Sequence, residues 1–102
     1  MELCERVQDI LCACFAISGR DMRSPERSRT EISRARQMGM YLAHVVVGLS
    51  LQEVGDGFQR ERSTVAHACH VIEDLRDDEE FEEVLLMIEK IIDVAFGRGA
   101  RR

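Results

Sequence analysis

The sequence is poor in several features that would place it in other protein classes. It has one proline, no tryptophan and 5% aromatic residues, a composition that suits an all-helical chain better than a β-sandwich. No apolar run approaches the roughly 20 residues that a membrane span needs. The beginning Met1-Glu2-Leu3 is acidic and unlike a signal peptide. We therefore expect a cytoplasmic protein without a membrane partner.

Metal-binding and catalytic patterns are also missing. Cys12 and Cys14 are two residues apart, which puts them on different sides of a helix, and no Cys-x-x-Cys pair occurs. His67 and His70 lie three apart but lack further ligands. No Ser-His-Asp set can be placed together, and no Walker-type phosphate loop is present. We expect reduced cysteines, no metal, no cofactor, no nucleotide and no enzymatic activity.

Size and charge indicate one helical domain with an uneven charge distribution. The 102 residues suffice for one core, so residues 1–102 are interpreted as a single domain with a frayed tail at 97–102. The net charge is −5, yet residues 73–93 hold ten acids against two bases, whereas residues 20–62 hold eight arginines against six acids. Arginine suits bidentate contacts to phosphate and guanine. The overall acidity therefore does not exclude a nucleic-acid partner.

Apolar residues recur at helical spacing along most of the chain. Helices are predicted over residues 2–17, 33–47, 51–57, 62–76 and 79–96. The polar stretch 20–31, which contains the proline, is interpreted as a loop with at most a short helical turn. The side chains expected to face the core include Leu3, Val7, Ile10, Leu11, Cys14, Ile17, Met38, Tyr41, Leu42, Val45, Phe58, Val65, Ala68, Cys69, Ile72, Phe81, Val84, Leu85, Ile88, Ile91, Ile92 and Ala95.

Residues with special backbone preferences mark the expected helix ends. Ser18-Gly19 is expected to end the first helix, and Gly48 the second, because glycine tolerates the left-handed conformation. Ser33 is the expected N-cap of the second helix. Ser50 and Glu53 have the spacing of a capping box. The segment 32–72 thus has the layout of a helix-turn-helix.

Three blocks in this segment resemble the C-terminal DNA-binding domain of the bacterial replication initiator DnaA. Arg34-Ala35-Arg36-Gln37-Met38-Gly39-Met40-Tyr41-Leu42-Ala43 resembles the family's R-P-R-Q-x-A-M-Y-L-A. Ser50-Leu51-Gln52-Glu53-Val54-Gly55-Asp56-Gly57-Phe58 resembles S-L-P-E-I-G-x-x-F, and Ser63-Thr64-Val65-Ala66-His67-Ala68-Cys69 resembles T-T-V-x-H-A-C. The order and spacing of the blocks make the match specific, and it covers roughly residues 5–95. The family's ATPase has no counterpart in these 102 residues.

This resemblance implies a compact all-α bundle of the Trp-repressor-like type and a three-part surface for double-stranded DNA. The basic loop would insert Arg27 and Arg29 into the minor groove. A second group would approach phosphates: Arg34, Arg36 and His44. The recognition helix would present Arg60, Glu61, Arg62, Ser63 and Thr64 to the major groove, with His67 one turn further on. Gln52, at the family's proline, belongs to the same surface.

The base-reading positions differ from the family pattern. Where the family has F-G-G-R-D-H-T-T-V, this chain has Phe58-Gln59-Arg60-Glu61-Arg62-Ser63-Thr64-Val65, one residue shorter. Glutamate can accept a hydrogen bond from cytosine N4, and arginine favours guanine O6 and N7. These changes bear on the target sequence rather than on the fold.

The resemblance implies a nucleoid-associated DNA-binding protein. It would act by occupying sites, either as a transcription regulator or in the control of replication initiation. The alternative is a protein-protein interaction module, homodimeric through the C-terminal helix, that kept the fold and lost specific DNA binding.

Overall fold

The computed structural model describes residues 2–24 and 30–96, which form six α-helices and one π-helical turn. The helices are α1 Glu2–Phe15, α2 Gly19–Arg23, α3 Thr30–Leu42, α4 Leu51–Phe58, α5 Arg62–Leu75 and α6 Glu79–Phe96, and residues Ala43–Val47 continue α3 as the π-turn. Neither described range contains a strand. The expected all-α fold with a helix-turn-helix is confirmed.

Helix α3 lies at the centre of the fold and contacts all five other α-helices. α5 packs on α3 and α4, whereas α6 packs on α1, α3 and the π-turn. The core is continuous across these contacts, and its fully buried large side chains include Val7, Leu11, Met22, Met40, Tyr41, Leu42, Val54, Val65, Ile72, Leu85 and Ile92. Helix α5 is thus mounted on a buried scaffold.

The buried face of α1 differs from the predicted stripe. Cys4, Val7 and Leu11 are fully buried, whereas Cys14 is exposed, so the prediction for Cys14 was wrong. The helix turns at Ala16, which takes the left-handed φ of 55°, and Cys14 lies in the last turn beyond the packed face. Leu3, Ile10 and Ile17 pack on the core from its edge, as partly buried residues.

The segment between α1 and α3 contains more helix than predicted. Ser18 does not end α1 but caps α2, because its Oγ accepts a hydrogen bond from the Asp21 N–H at 3.0 Å. α3 begins at Thr30, three residues before the expected cap Ser33, which therefore lies inside the helix. The expected minor-groove residues, Arg27 and Arg29, lie outside the described residues.

The π-turn at the end of α3 changes which valine is buried. In a regular helix Met38, Leu42 and Val45 would share one face, but a π-turn holds more residues per turn. The buried face therefore passes to Val46 and Val47, and Val45 is 45% exposed, contrary to the prediction. Gly48 ends the turn with a φ of 94°, and its N–H donates to the carbonyl of Ala43. This left-handed end confirms the role expected for Gly48.

Helix α6 has two apolar rows, of which one is buried. Leu85, Ile88 and Ile92 lie in the core, as predicted. The second row runs along the neighbouring face with exposed fractions of 40, 67, 45 and 83% and comprises Val84, Met87, Ile91 and Val94. The prediction was therefore wrong for Val84, Ile91 and the exposed Ala95. None of the described helices is long and apolar enough to span a bilayer.

Candidate nucleic-acid interface

Helix α4 begins with the predicted capping box. The Ser50 Oγ accepts from the Glu53 N–H at 3.1 Å, and the Glu53 carboxylate accepts from the Ser50 N–H at 2.8 Å. Both bonds satisfy N–H groups that helix geometry leaves without an intrahelical partner. Val54 and Phe58 then bury the inner face of α4. The first helix of the helix-turn-helix is thus fixed at its beginning and along one face.

The turn between α4 and α5 depends on Gly55. The Arg60 N–H donates to the Gly55 carbonyl at 2.9 Å, which folds the turn back onto α4. A Cβ atom at position 55 would lie 2.7 Å from the backbone oxygen of Arg60. Gln59 makes the reversal with a left-handed φ of 57°. This backbone approach explains why the matched family block has glycine at this position.

The first turn of α5 presents the predicted base-reading side chains to solvent. Glu61 is the N-cap, although its side chain makes no capping hydrogen bond. Of the predicted site, Glu61, Arg62, Ser63, Thr64 and His67 are all exposed. Across residues 2–24 and 30–96, no hydrogen bond or ion pair is recorded for these five side chains. They are available for an external partner, and they surround a helix N-terminus whose N–H groups favour anions such as phosphate.

Arg60 and Arg36 face inward, unlike the arginine at the beginning of α5. Arg60 donates to three carbonyls, those of Ser24 at 2.8 Å, Phe58 at 3.3 Å and Gln59 at 3.2 Å. Arg36 is 7% exposed and donates to the carbonyls of Met22 at 2.8 Å and Asp21 at 3.1 Å. Burial and the neighbouring charge of Arg60 lower the pKa of Arg36. These hydrogen bonds hold both guanidinium groups against backbone carbonyls of the fold.

The remaining predicted residues among those described are at least partly exposed. Arg34 is half-buried and donates to the Gln37 side chain at 3.2 Å. His44 Nδ1 lies 2.7 Å from the Leu49 carbonyl oxygen, and because a carbonyl only accepts, this nitrogen carries the proton. Gln52 is exposed and donates to Asp56 at 3.0 Å. Each of the three is held by a local contact, without being buried.

A polar network holds the far end of α5. Tyr41 is 1% exposed, and its hydroxyl donates to the Glu73 carboxylate and accepts from Arg76 at 2.9 Å. Arg76 also forms a bidentate pair with Glu82, at 2.7 and 3.1 Å, and lies 3.6 Å from Glu89. Burial and the bond to Glu73 raise the pKa of Tyr41 to about 12. The network therefore ties α5 to both α3 and α6.

The cysteines show no metal-binding arrangement in the described part of the chain. All four are free thiols, and burial raises the pKa of Cys4, Cys12 and Cys69. No three residues among the described histidines, cysteines, aspartates and glutamates come together to hold a metal ion. Cys4, Cys12 and Cys69 are at least partly buried, whereas Cys14 is exposed at the end of α1.

Sequence reasoning missed Gly55 and Arg76, which shape this site, and it did not reveal which groups Arg60 binds. Gly55 allows the turn, Arg60 joins the turn to Ser24, and Arg76 fixes the end of α5. Gly55 had a signal, since it stands inside a matched family block. Arg60 and Arg76 had none, because their partners lie 36 and 35 residues away in the sequence.

Known proteins match this chain over most of its length. The family model of the bacterial DnaA protein helix-turn-helix matches residues 4–72. The chain is similar to the chromosomal replication initiator protein DnaA of Pseudothermotoga lettingae, with 37% identity over 71 residues, which is 70% of this chain and 16% of that protein. Its similarity to the DnaA of Thermodesulfovibrio yellowstonii is 32% over 95 residues, or 92% of this chain and 21% of that protein. The chain thus spans about a fifth or less of these relatives.

Proposed function

Because this chain belongs to the bacterial DnaA helix-turn-helix family, we propose that it is a single domain that binds double-stranded DNA sequence-selectively. The first turn of α5 enters the major groove, and the segment that carries Arg27 and Arg29 contributes to the minor groove. The proposed function is one of binding and needs no cofactor or nucleotide. Family membership supports DNA binding in general, and the residue roles are our own assignment.

The observation that carries this proposal is the exposed beginning of α5. Arg62, Ser63 and Thr64 stand on the solvent side of a helix whose other face is buried through Val65 and Ala68. A buried face on one side and uncommitted polar side chains on the other are what a recognition helix needs. Contacts to the DNA phosphate backbone would fix the register of the domain on the duplex, and the side chains would contact the base edges.

We assign separate roles to the exposed residues of α5. Arg62 donates to guanine O6 and N7, Glu61 accepts from cytosine N4, and Ser63 adds a hydroxyl contact. Arg34, His44, Gln52 and Thr64 contribute contacts around them, with His67 one turn further along α5. Occupancy of such sites in the nucleoid, within the cytoplasm, would regulate transcription or replication initiation.

A mobility-shift titration with random duplexes at low salt tests DNA binding. We expect binding at micromolar protein or below. Non-specific protein–DNA dissociation constants are roughly 10⁻⁴ to 10⁻⁶ M at physiological salt, and binding becomes tighter as the salt concentration is lowered. Arg62→Ala should weaken binding to a selected site roughly tenfold, as expected for loss of one bidentate base contact. The control is Lys90→Ala, which removes one charge from α6 and should leave the affinity unchanged. Absence of binding by the wild type would refute the function.

A selection of bound sequences from a random duplex pool tests the reading of bases. The wild type should enrich a motif with a guanine that Arg62→Ala no longer selects, because alanine offers no donor to O6 and N7. Identical motifs for both proteins would contradict the role of Arg62. A wild-type motif that equals the standard DnaA box would show that the altered residues do not change the target.

The second apolar row of α6 supports a second candidate function, self-association. Val84, Met87, Ile91 and Val94 have the 3-4-3 spacing of a coiled-coil seam and are exposed. The first half of α6 holds Glu79, Glu80, Glu82 and Glu83, whereas the second half is less acidic, with Glu89 and Asp93 partly offset by Lys90. A parallel pair would set the acids against each other, so we propose that a second copy packs antiparallel on this row.

Light scattering on matched variants separates this candidate from a monomer. Ile91 and Leu86 are both 45% exposed but point to different sides of α6. Ile91→Glu should yield a folded monomer, whereas Leu86→Glu should leave the dimer intact. A wild type that stays monomeric at high protein concentration would exclude self-association. Leu85 is unsuitable as a probe because it is fully buried, and a charge there would unfold the domain.

A further inference from the structure

Arg60 links two segments that are far apart in sequence. Its guanidinium donates to the Phe58 and Gln59 carbonyls at the end of α4 and, 36 residues away, to the Ser24 carbonyl. Ser24 is the C-cap of α2 and the last described residue before the segment 25–29. One side chain therefore connects the turn of the helix-turn-helix to the end of α2.

Arg36 of α3 also binds the C-terminal end of α2. It donates to the carbonyls of Asp21 and Met22, while Arg60 takes that of Ser24. Carbonyls at a helix C-terminus have no intrahelical partner, and cationic side chains suit them. Two arginines thus bind three carbonyls around this end, those of residues 21, 22 and 24, and Met22 is itself buried.

From this arrangement we propose that Arg60 is a positioning residue of the DNA interface and not a DNA-contacting one. It fixes the end of α2 relative to the first turn of α5. This inference rests on the proposed DNA binding. It assigns the loss of affinity in an Arg60 variant to misplacement of the first turn of α5, because a site works only when its parts are held within a fraction of an ångström.

The salt dependence of binding distinguishes positioning from phosphate contact. Each lost phosphate contact flattens the slope of log affinity against log salt by about one unit. If Arg60 positions the interface, Arg60→Ala should bind roughly tenfold more weakly, a difference of about 1.4 kcal/mol, with an unchanged slope. A slope reduced by about one unit would identify Arg60 as a phosphate contact and overturn the inference.

Arg60→Lys provides an independent test that does not rely on the slope. Lysine keeps the charge, but a single ammonium group lacks the planar fork that reaches carbonyls of two segments. Positioning therefore predicts that Arg60→Lys is as weak as Arg60→Ala, whereas a phosphate contact predicts near-wild-type affinity. Binding is measured at a temperature at which circular dichroism shows both variants folded.

Hydrogen exchange without DNA gives a readout that is separate from affinity. The N–H groups of Met22 and Ser24 are bonded to the carbonyls of Ser18 and Asp21. Both should exchange faster in Arg60→Ala than in the wild type, whereas Lys90→Ala should leave them unchanged. Unchanged exchange in Arg60→Ala would overturn the positioning role even if DNA affinity falls. Failure of the wild type to bind DNA would instead refute the proposed function, and the exchange result would stand alone.

Discussion

The two ends of α5 differ in how their side chains are held. At its beginning, the side chains of Glu61, Arg62 and Ser63 are exposed and make no hydrogen bond or ion pair with the described residues. At its end, Glu73 and Arg76 are bound to Tyr41 of α3 and to Glu82 of α6. Helix α5 is therefore anchored at its C-terminal end, and its N-terminal end is accessible to a partner. Stability and recognition should therefore respond to different substitutions along one helix.

Gly55→Ala should have the largest effect, because it displaces the beginning of α5 from the helices on which α5 packs. The new Cβ would lie 2.7 Å from the Arg60 backbone oxygen, and backbone cannot swing aside as a flexible side chain does. We expect a loss of about 3 kcal/mol in the free energy of unfolding, as for overpacking in a tight core, together with weaker DNA binding. Urea denaturation measures the first and mobility shift the second.

Gly57→Ala is the control for this substitution. Gly57 lies in the same helix, and alanine has the better helix propensity. It should therefore leave stability equal or improved. A similar loss in both variants would show that helix α4, and not the turn, is sensitive to any added methyl group.

Arg76→Ala should weaken the anchored end and leave recognition nearly unchanged. The substitution removes the bidentate pair with Glu82 and the bond to Tyr41, whose groups are largely shielded from solvent. We expect a loss of about 1–2 kcal/mol in the free energy of unfolding. Arg6→Ala breaks an exposed pair with Glu2 and should cost less than about 0.5 kcal/mol. Equal losses would contradict the anchoring role of the network.

Glu61→Gln should change recognition with little effect on stability. The Glu61 carboxylate lies at the beginning of α5. Its negative charge would repel DNA phosphates, but it stabilises the helix by interacting with the positive end of the helix dipole. Removing its charge should raise affinity for random duplexes a few-fold and reduce stability by less than about 1 kcal/mol. The expected loss is in discrimination, because glutamine offers a donor as well as an acceptor to the base edge. If discrimination between DNA sequences is unchanged, Glu61 does not contact the bases.

Titration of Tyr41 should report the anchored end directly. The chain has one tyrosine and no tryptophan, so its near-ultraviolet phenolate absorbance belongs to Tyr41. The folded pKa is about 12, above the ordinary 10.0, which means that its stabilising effect is complete below pH 10 and is lost as the pH rises through about 12. Tyr41→Phe should remove this part of the pH dependence of unfolding. A folded-state midpoint near 10 would contradict the network.

Much of the fold was predictable from local signals. The capping box of Ser50 and Glu53, the end at Gly48 and the bounds of α6 follow from residue types a few positions apart, and these predictions were confirmed. Predictions that assumed a regular helix were wrong where the backbone departs from one. Val45 is exposed because the π-turn shifts the register, and Cys14 is exposed because α1 ends after Phe15.

The candidate site was predictable as a list of residues but not as a division of roles. Arg60 and Arg62 are two positions apart and were grouped together, yet one binds three carbonyls and the other faces solvent. Arginine type alone does not reveal this, because the same guanidinium can satisfy a carbonyl or a phosphate. The Ser24 carbonyl, which distinguishes Arg60 from Arg62, comes close to Arg60 only in the folded protein.

The sequence by itself determined the all-α class, the helix-turn-helix and the family, because periodicity, caps and matched blocks are local properties of the chain. Only the tertiary structure decided which arginines hold the fold, which row of α6 is buried and which end of α5 is tied down. Those outcomes depend on contacts between residues 35 or more positions apart, such as Arg76 with Tyr41 and Arg60 with Ser24. No local pattern records such contacts, since they arise from the way the helices pack around α3.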